Sequence, residues 1–491
     1  MSSVFIIVSI IIPFIAGILE NSVKYPSRKL RLFVLEAMVI ANSILVWAIL
    51  INRPDTVFNL VKFTGDLELA FKVDGMGMIF AGLVSFLWPL ATLYSFEYMT
   101  HEDREEMFFM FYTMTYGVTL GISFAANLLT MYFFYELLTL VTVPLVMHTM
   151  TREAILASRK YLYYSLGGAA FAFIGLVFVI MYGKTTDFVL GGCLDPVVLA
   201  PYKDILLLIY VLAFLGFGVK AAICPFNSWL PDAGVAPTPV TALLHAVAVV
   251  KSGAFATIRL TYYCYGMEFL KDTWAQYVLM AIIIFTIVYG CSRAVKETHI
   301  KRRLAYSTVS NLSYILFGVV MMSPIGLMAG ITHLIAHAFM KICSFFCAGA
   351  IMYKSGAHYV NELDGMGKKM PWVFGIFTVS SFALMGVPGL SGFISKWYLV
   401  SAAIDQGSVM AAVGVGGLLV SALLTAIYML SIVIRAFFPF KEISDDQIRK
   451  SADPTWQMLV PLSIFVIFMV VFGSFSKPLT DIFWQVANGM M

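Results

Sequence analysis

Long runs of apolar residues, separated by short polar segments, organise this sequence from end to end. A helix that crosses a bilayer needs about 20 predominantly apolar residues. The longest polar stretches, 183–203 and 438–455, are too short to form a soluble domain. The pattern therefore predicts an all-α polytopic membrane protein with fourteen transmembrane helices, at residues 3–20, 31–51, 74–97, 107–125, 127–149, 160–182, 204–223, 238–262, 274–292, 303–322, 326–352, 372–400, 408–437 and 456–476.

Composition supports the membrane prediction and excludes several other classes of protein. Of 491 residues, 60% are hydrophobic and 12% are charged, whereas soluble domains have about 25% charged residues. The net charge of +4 is spread over loops, which argues against nucleic acid as a partner. The six cysteines form no C-x-x-C pattern, and Cys343 and Cys347 are expected to pack rather than bind metal. The first apolar run lacks a basic leader and a cleavage pattern, so we expect it to be a retained span.

The distribution of lysine and arginine predicts an orientation. With the N-terminus outside, 20 of the 32 basic residues fall in inside loops and 8 in outside loops or span ends. Because cytoplasmic loops carry an excess of basic residues, both termini are predicted to face the outside. The other four basic residues are lysines within predicted spans, Lys220, Lys251, Lys341 and Lys396. Such charges cost about 2.5–3.5 kcal/mol at the bilayer centre on insertion scales and usually face a bundle interior or a water-filled path.

Spans five and seven each carry one intramembrane charge. Glu136 lies near the middle of span five, which contains no basic residue, and Lys220 precedes Pro225, which interrupts span seven. A discontinuous helix at membrane depth is typical of a binding site, because protein or water must satisfy its freed backbone groups. We predict an ion pair between Glu136 and Lys220 whose separation changes the protonation of both groups. The alternatives are an acid that only supports packing and a lysine that reaches the membrane interface.

Spans eight and eleven carry titratable residues at regular spacing. Lys251 follows His245 by six residues, about 9 Å of helical rise, which water could bridge. His333, His337 and Lys341 recur at i, i+4 and i+8 and therefore share one helix face. This pattern favours a proton relay, with packing only as the alternative. A metal site at the two histidines of span eleven would lack a nearby carboxylate or cysteine ligand.

Span twelve repeats the logic of span seven in reverse order. The GVPG segment at 386–389 breaks this span and Lys396 follows the break, whereas Lys220 precedes its own. Inverted repeats produce such a reversal, so spans four to eight and nine to thirteen are candidate five-helix repeats. The predicted organisation is helices 1–3 at residues 1–103, a first repeat at 104–265, a second repeat at 266–440, and a loop with a C-terminal helix at 441–491.

The ordered motifs resemble one family of membrane subunits. The segments FFYELLTL (133–140), GVKAAICPFNSWLPDAGVAPTPVTALLHAVAVVKSG (218–253), HIKRRLAYSTVSNLSY (299–314), HLIAHAFMK (333–341) and GVPGLSGFISKW (386–397) are similar to those of the antiporter-like subunits of respiratory complex I. They are equally similar to the D-type subunit of Mrp sodium/proton antiporters and to the corresponding subunit of membrane-bound hydrogenases. The resemblance implies two inverted five-helix repeats, discontinuous helices 7 and 12, and half-channels joined by a central hydrophilic axis.

The same resemblance implies proton-translocation roles for individual positions. Matched residue by residue, these are Glu136 on span five, Lys220 on span seven, Lys251 on span eight, His333, His337 and Lys341 on span eleven, and Lys396 on span twelve. His245 and Asp232 are secondary relay candidates. No dense cluster of oxygen ligands is visible that would identify a sodium site.

We expect a proton-translocating or sodium/proton antiporting subunit of a larger complex in the cell membrane. The chain is predicted to hold no catalytic site, cofactor or metal, so iron–sulfur clusters or nickel would belong to peripheral redox partners. Other antiporter-like and small membrane subunits are the expected neighbours. A redox-driven pump arm and a gradient-driven antiporter both stay open, and a non-conducting scaffold is the alternative from another class. The charged segment 441–454 is predicted to be a solvated loop rather than a subunit contact.

Overall fold

The computed structural model describes residues 3–65, 67–439 and 451–490, so most of the charged segment 441–454 lies outside the described residues. Helices dominate the described chain. Their bounds are α1 (Val4–Ser22), α2 (Arg28–Asn52), α3 (Gly75–Tyr98), α4 (Glu105–Ser123), α5 (Leu128–Val146), α6 (Arg152–Tyr182), α7 (Lys203–Gly218), α8 (Trp229–Asp232), α9 (Thr238–Ala246), α10 (Val249–Ile258), α11 (Met267–Leu270), α12 (Trp274–Lys296), α13 (Ile300–Val320), α14 (Pro324–Ser355), α15 (Pro371–Met385), α16 (Ser391–Gln406), α17 (Val409–Phe437), α18 (Trp456–Ser474) and α19 (Lys477–Ala487).

Local sequence signals mark where several of these helices begin. The side chain of Asp74 accepts a hydrogen bond from the backbone N–H of Gly77 at 2.8 Å, and Asn127 caps Thr130 in the same way at 2.8 Å. Such caps satisfy backbone donors that have no partner within the helix. They fix the first turns of α3 and α5, and α5 carries Glu136.

Each predicted span coincides with a helix or a pair of helices, as expected for a multi-pass membrane protein. In the part of the chain that the structure describes, eleven helical segments are long and apolar enough to cross a membrane by themselves. The helices α4 and α13 fall outside that group, and α15 and α16 have only 15 and 16 residues. The count of fourteen crossings, the two inverted repeats and the domain boundaries therefore stay predictions.

A β-hairpin between α2 and α3 was not predicted. Strand β1 (Phe58–Thr64) pairs antiparallel with β2 (Leu67–Phe71), with Phe58 opposite Phe71. Gly65 lies at the turn with a φ of +54°, which glycine adopts without steric cost. The alternating pattern of this segment is short, and the adjoining spans carry a much stronger apolar signal.

Span seven is discontinuous, but its break begins earlier than the sequence indicates. The helix α7 ends at Gly218, and residues 219–228 form turns before α8. The N–H of Ile223 bonds back to the carbonyl of Gly218 at 3.1 Å, which ends the α-helical ladder before Pro225. Lys220 therefore lies within the break and not on the helix that precedes it.

Span eight is also broken, which corrects the expectation of a continuous helix. The α9 and α10 segments meet at Val247, whose φ and ψ are −125° and −62°. The N–H of Ala248 bonds to the carbonyl of Leu243, five residues back, at 2.9 Å. Because no proline or glycine marks this point, the sequence carries no signal for it.

Span twelve breaks where the GVPG motif predicts. The first half, α15, ends at Met385, and Gly386 adopts a φ of +91° before α16 starts at Ser391. The two halves pack closely, since a Cβ at Gly392 would lie only 1.8 Å from the carbonyl oxygen of Ala383. Glycine at this position allows the second half to return against the first.

The centre of the bundle is formed by α9, α10 and α14. Their apolar windows are fully buried inside the protein, whereas the windows of α1, α2, α6, α17 and α18 are 39% buried. Helix α14 contacts α9, α13, α15, α16 and α18. Lys251 on α10 and Lys341 on α14 therefore lie in the interior of the protein and not towards lipid.

Candidate functional site

Glu136 and Lys220 are brought together as predicted. The Nζ of Lys220 lies 3.9 Å from Oε1 of Glu136, and the lysine is completely buried while the glutamate side chain is 24% exposed. The amine donates a hydrogen bond to the backbone carbonyl of Tyr135 and lies 3.4 Å from the centroid of that tyrosine ring. Oε1 of Glu136 has no hydrogen-bond partner. The ammonium is thus held by the α5 backbone, while the carboxylate acts through charge alone.

The break in span seven places Lys220 against α10. A Cβ at Gly253 would lie 3.0 Å from the Cβ of Lys220 and 2.6 Å from the backbone nitrogen of Ala221. Glycine therefore permits a close backbone approach two residues after Lys251 on the same helix. The Glu136–Lys220 pair and Lys251 belong to neighbouring parts of one buried region.

Lys251 connects the central helices through a histidine. Its Nζ is hydrogen-bonded to Nδ1 of His337, and both side chains are completely buried. The rings of His337 and His333 stack at a centroid distance of 5.8 Å. Nδ1 of His333 is 2.9 Å from the hydroxyl of Ser395 on α16. This line of side chains runs from α10 through α14 to α16.

Lys341 lies on the same buried helix but contacts a different neighbour. Its Nζ donates to the hydroxyl of Ser307 at 2.5 Å and to the carbonyl of Leu304 at 3.4 Å, both on α13. The periodicity correctly placed it one turn after His337. Its direct partners, however, lie on α13, so it forms a branch from the line of side chains.

Lys396 donates hydrogen bonds to carbonyl groups that lose their helical partners at the span-twelve break. Its Nζ donates to the carbonyls of Leu384 and Met385 at 2.7 and 2.9 Å, at the C-terminal end of α15. A helix C-terminus attracts cations because its last carbonyls lack intrahelical partners. The centroid of the Tyr314 ring lies 5.6 Å from this amine and 5.1 Å from the ring of His333.

The two secondary candidates have different surroundings. His245 is completely buried in the last turn of α9 without a hydrogen-bond partner at either ring nitrogen, and the break after it separates it from the helix of Lys251. Asp232 pairs with Lys160 at 2.7 Å and with Arg302 at 3.3 Å, and about a third of its side chain is exposed. It forms no ion pair with any of the other predicted site residues.

Sequence reasoning missed a buried ion pair at one end of this region. Arg259 counts as an outside span end in the charge distribution, but it is completely buried in a π-helical segment, Arg259–Tyr265, that continues α10. Its two terminal nitrogens each donate to a carboxylate oxygen of Asp74 at 2.6 Å. The position of this arginine inside the predicted span 238–262 indicated a buried charge, although nothing in the sequence identified its partner.

The buried row offers groups that can take up and release protons. Among the described residues, no group of three or more histidine, cysteine, aspartate or glutamate side chains could hold a metal ion. The row contains one carboxylate, four amines and two imidazoles, of which Glu136 and Lys396 are partly exposed and the other five are completely buried. Their burial makes each charge sensitive to its neighbours, because the low dielectric interior strengthens electrostatic interactions.

Comparison with known protein families gives two matches within the chain. A family model described as NADH:quinone oxidoreductase/Mrp antiporter, TM, matches residues 125–425. A second, described as NADH-Ubiquinone oxidoreductase (complex I), chain 5 N-terminus, matches residues 62–109. All seven predicted proton-translocation residues lie within the first match.

Individual relatives include subunits of an NADH-quinone oxidoreductase and of a Na(+)/H(+) antiporter. The chain is 30% identical to NADH-quinone oxidoreductase subunit N of Desulforudis audaxviator over 424 residues, which are 84% of this chain and 82% of the relative. It is 32% identical over 341 residues to a Na(+)/H(+) antiporter subunit of Alkalihalophilus pseudofirmus, covering 66% of this chain and 41% of that protein.

Solved structures share the fold over nearly the whole chain. One chain of the Mrp complex from Dietzia sp. superposes with a TM-score of 0.84 at 21% identity, covering 99% of this chain and 98% of the other. A chain of the archaeal membrane-bound sulfane sulfur reductase superposes with a TM-score of 0.82 at 20% identity, covering 99% and 96%.

Proposed function

Because this chain belongs to the NADH:quinone oxidoreductase/Mrp antiporter transmembrane family, we propose that it translocates protons as one component of a larger membrane complex. Its relatives come from NADH-quinone oxidoreductase and from a sodium/proton antiporter. Both structural neighbours are chains of membrane complexes. Other membrane subunits are therefore its proposed partners.

The observation that carries this proposal is the row of buried titratable side chains through the centre of the bundle. Lys220, Lys251 and His337 are completely buried, and each has a titratable or carbonyl partner within hydrogen-bonding distance. Charged groups at membrane depth are costly and usually mark ion pathways. A scaffold without transport would gain little from several such groups.

The geometry supports transfer that begins at the Glu136–Lys220 pair. The carboxylate of Glu136 stabilises the charged form of Lys220 by attraction across 3.9 Å. When the pair separates, this stabilisation falls and the lysine releases its proton more readily. The turns at 219–228 lie beside α10, so water at the break is the proposed link from Lys220 to Lys251.

The next stage follows the hydrogen bonds on the central helices. Lys251 shares a hydrogen bond with His337, whose ring stacks on that of His333. His333 then reaches α16 through Ser395, one residue before Lys396. Lys396 is the proposed terminal site, because the carbonyls at the end of α15 hold its ammonium group.

The decisive experiment replaces Lys220 in the native complex. We expect Lys220→Ala to abolish coupled proton movement, measured with a pH-sensitive dye in sealed membrane vesicles, while the complex still assembles. Lys184→Ala is the matched control, since that lysine is 67% exposed and pairs with Asp195 on the surface. Normal transport by an assembled Lys220→Ala complex would refute the proposed function and favour a non-conducting scaffold.

The energy source distinguishes two versions of this function. A redox-driven complex would hold iron–sulfur clusters or nickel in partner subunits, whereas a gradient-driven antiporter would not. Metal analysis of the gently purified native assembly separates them: stoichiometric iron, with or without nickel, indicates a redox-driven pump. Metal-free membrane subunits indicate cation/proton antiport.

The cell membrane as location and the outside position of both termini are part of the proposal.

A further inference from the structure

A continuous chain of buried hydroxyls leads away from Lys341 towards α17. The Nζ of Lys341 donates to Ser307 at 2.5 Å, and the Ser307 hydroxyl lies 2.6 Å from that of Tyr428. The Tyr428 hydroxyl is 3.1 Å from the hydroxyl of Thr425, which donates to the carbonyl of Ser421 at 2.7 Å. The four side chains that form the chain are at most 1% exposed.

The last link determines the direction of every hydrogen bond in this chain. A carbonyl oxygen can only accept, so the single hydrogen of the Thr425 hydroxyl is directed at Ser421. The oxygen of Thr425 must then accept from Tyr428, and Tyr428 must accept from Ser307. The oxygen of Ser307 is left to accept from the lysine, so all the hydrogens point away from Lys341.

This polarity suits a charged lysine. An ammonium group has three donors and no acceptor, and hydrogen bonds polarise one another along a chain in a low dielectric interior. Among the described residues, no carboxylate forms an ion pair with Lys341. The hydroxyl chain therefore takes the place that Glu136 has beside Lys220.

We propose that Tyr428, acting through Ser307 and supported by Thr425, is a positioning residue that stabilises the protonated form of Lys341. This inference rests on the proposed function, in which Lys341 is a branch of the proton pathway. The series of hydroxyls ends at a carbonyl oxygen, which cannot pass a proton onward. Its effect is therefore on the basicity of Lys341 and not on proton conduction. Arg303 fixes the position of Tyr428 by donating to its backbone carbonyl at 3.0 Å.

Several other groups influence the charge of Lys341 from the surrounding helices. They do not change in the variants proposed below, so a shift in pH dependence reports on the hydroxyl chain. These groups are His337 on α14, His245 on α9, Lys251 on α10 and Cys291 on α12.

The test is the pH profile of proton transport by the native complex carrying Tyr428→Phe. Loss of the hydroxyl leaves Ser307 without its acceptor and weakens the support for the ammonium form. Lys341 then loses its proton at a lower pH, so the alkaline limb of the profile, to which Lys220 and Lys341 both contribute, moves to lower pH by up to about one unit. Tyr210→Phe is the matched control, because it removes another buried hydroxyl, which lies on α7 and is 3.0 Å from that of Thr261.

Two further variants keep the inference testable if Tyr428→Phe does not assemble. Ser307→Ala removes the direct link and should shift the alkaline limb at least as far, and Thr425→Val should shift it less in the same direction. Ser313→Ala, on the same helix but with its buried hydroxyl donating to the carbonyl of Val309 instead, should leave it in place. If the hydroxyl variants assemble and the alkaline limb of their pH profiles does not move, the inference is overturned.

Lys341→Gln separates this failure from failure of the proposed function. If Lys341→Gln impairs transport while the hydroxyl variants leave the profile unmoved, only the role of the hydroxyl chain is wrong. If Lys341→Gln transports like the unaltered complex, the assignment of Lys341 to the pathway is wrong as well.

Discussion

Glu136→Gln tests the central electrostatic contact of the buried row. The substitution keeps the size of the side chain on α5 and removes its charge. Lys220 keeps its hydrogen bond to the Tyr135 carbonyl and its contact with the tyrosine ring, because neither depends on the carboxylate. The change therefore isolates the attraction between the two side chains.

The distance gives the size of the effect. Two unit charges 3.9 Å apart attract by about 4 kcal/mol at an effective dielectric of about 20. Glu136 is 24% exposed, so screening could halve this to about 2 kcal/mol. At about 1.36 kcal/mol per pH unit, Lys220 should lose its proton about 1.5 to 3 pH units lower than in the unaltered complex.

The assay is the initial rate of proton movement in sealed vesicles between about pH 6 and about pH 10. We expect the alkaline limb to move to lower pH in Glu136→Gln. Glu136→Asp keeps the charge and withdraws it by about 1.5 Å, which costs about 1 kcal/mol and shifts the limb by less than one unit. A Glu136→Gln profile that coincides with the unaltered one would show that this carboxylate does not control Lys220.

Two structural predictions concern the frame around the row. Asp74→Asn leaves the buried guanidinium of Arg259 without its counter-charge. We therefore expect the complex to lose about 3–5 kcal/mol of stability and, purified in detergent, to unfold at a lower temperature. An unchanged unfolding temperature would contradict this. Gly392→Ala forces the halves of span twelve apart, because its Cβ would meet a backbone oxygen at 1.8 Å. We expect it to lower the stability of the complex by about 1–3 kcal/mol or more and to reduce transport. Gly375→Ala is the control, since nothing lies within 4 Å of its Cβ, and it should assemble and transport normally.

The membrane architecture and the family could both be predicted from the sequence. A bilayer requires about 20 apolar residues for each helix, so the spans follow directly from hydropathy, and each coincides with helix in the structure. The resemblance based on five motifs is confirmed by the family match over residues 125–425. The GVPG break was also predictable, because glycine and proline interrupt helices for local reasons.

Other features left no local signal. The start of the break at Gly218 and the break at Val247 depend on hydrogen bonds that skip one residue of the helical ladder. Neither site has a proline at the point where the helix ends. The hairpin at 58–71 is similarly short and lies beside strongly apolar spans.

The sequence by itself identified most of the charged groups inside the membrane spans, because charged residues are rare in apolar segments, although it placed the buried Arg259 at a span end. Only the tertiary structure decided their partners. Lys251 is hydrogen-bonded to His337, 86 positions away, whereas Lys341, four residues after His337, is directed at Ser307 on another helix. Helix neighbours are chosen by packing over long separations, so spacing along one helix predicts a shared face but not what that face meets.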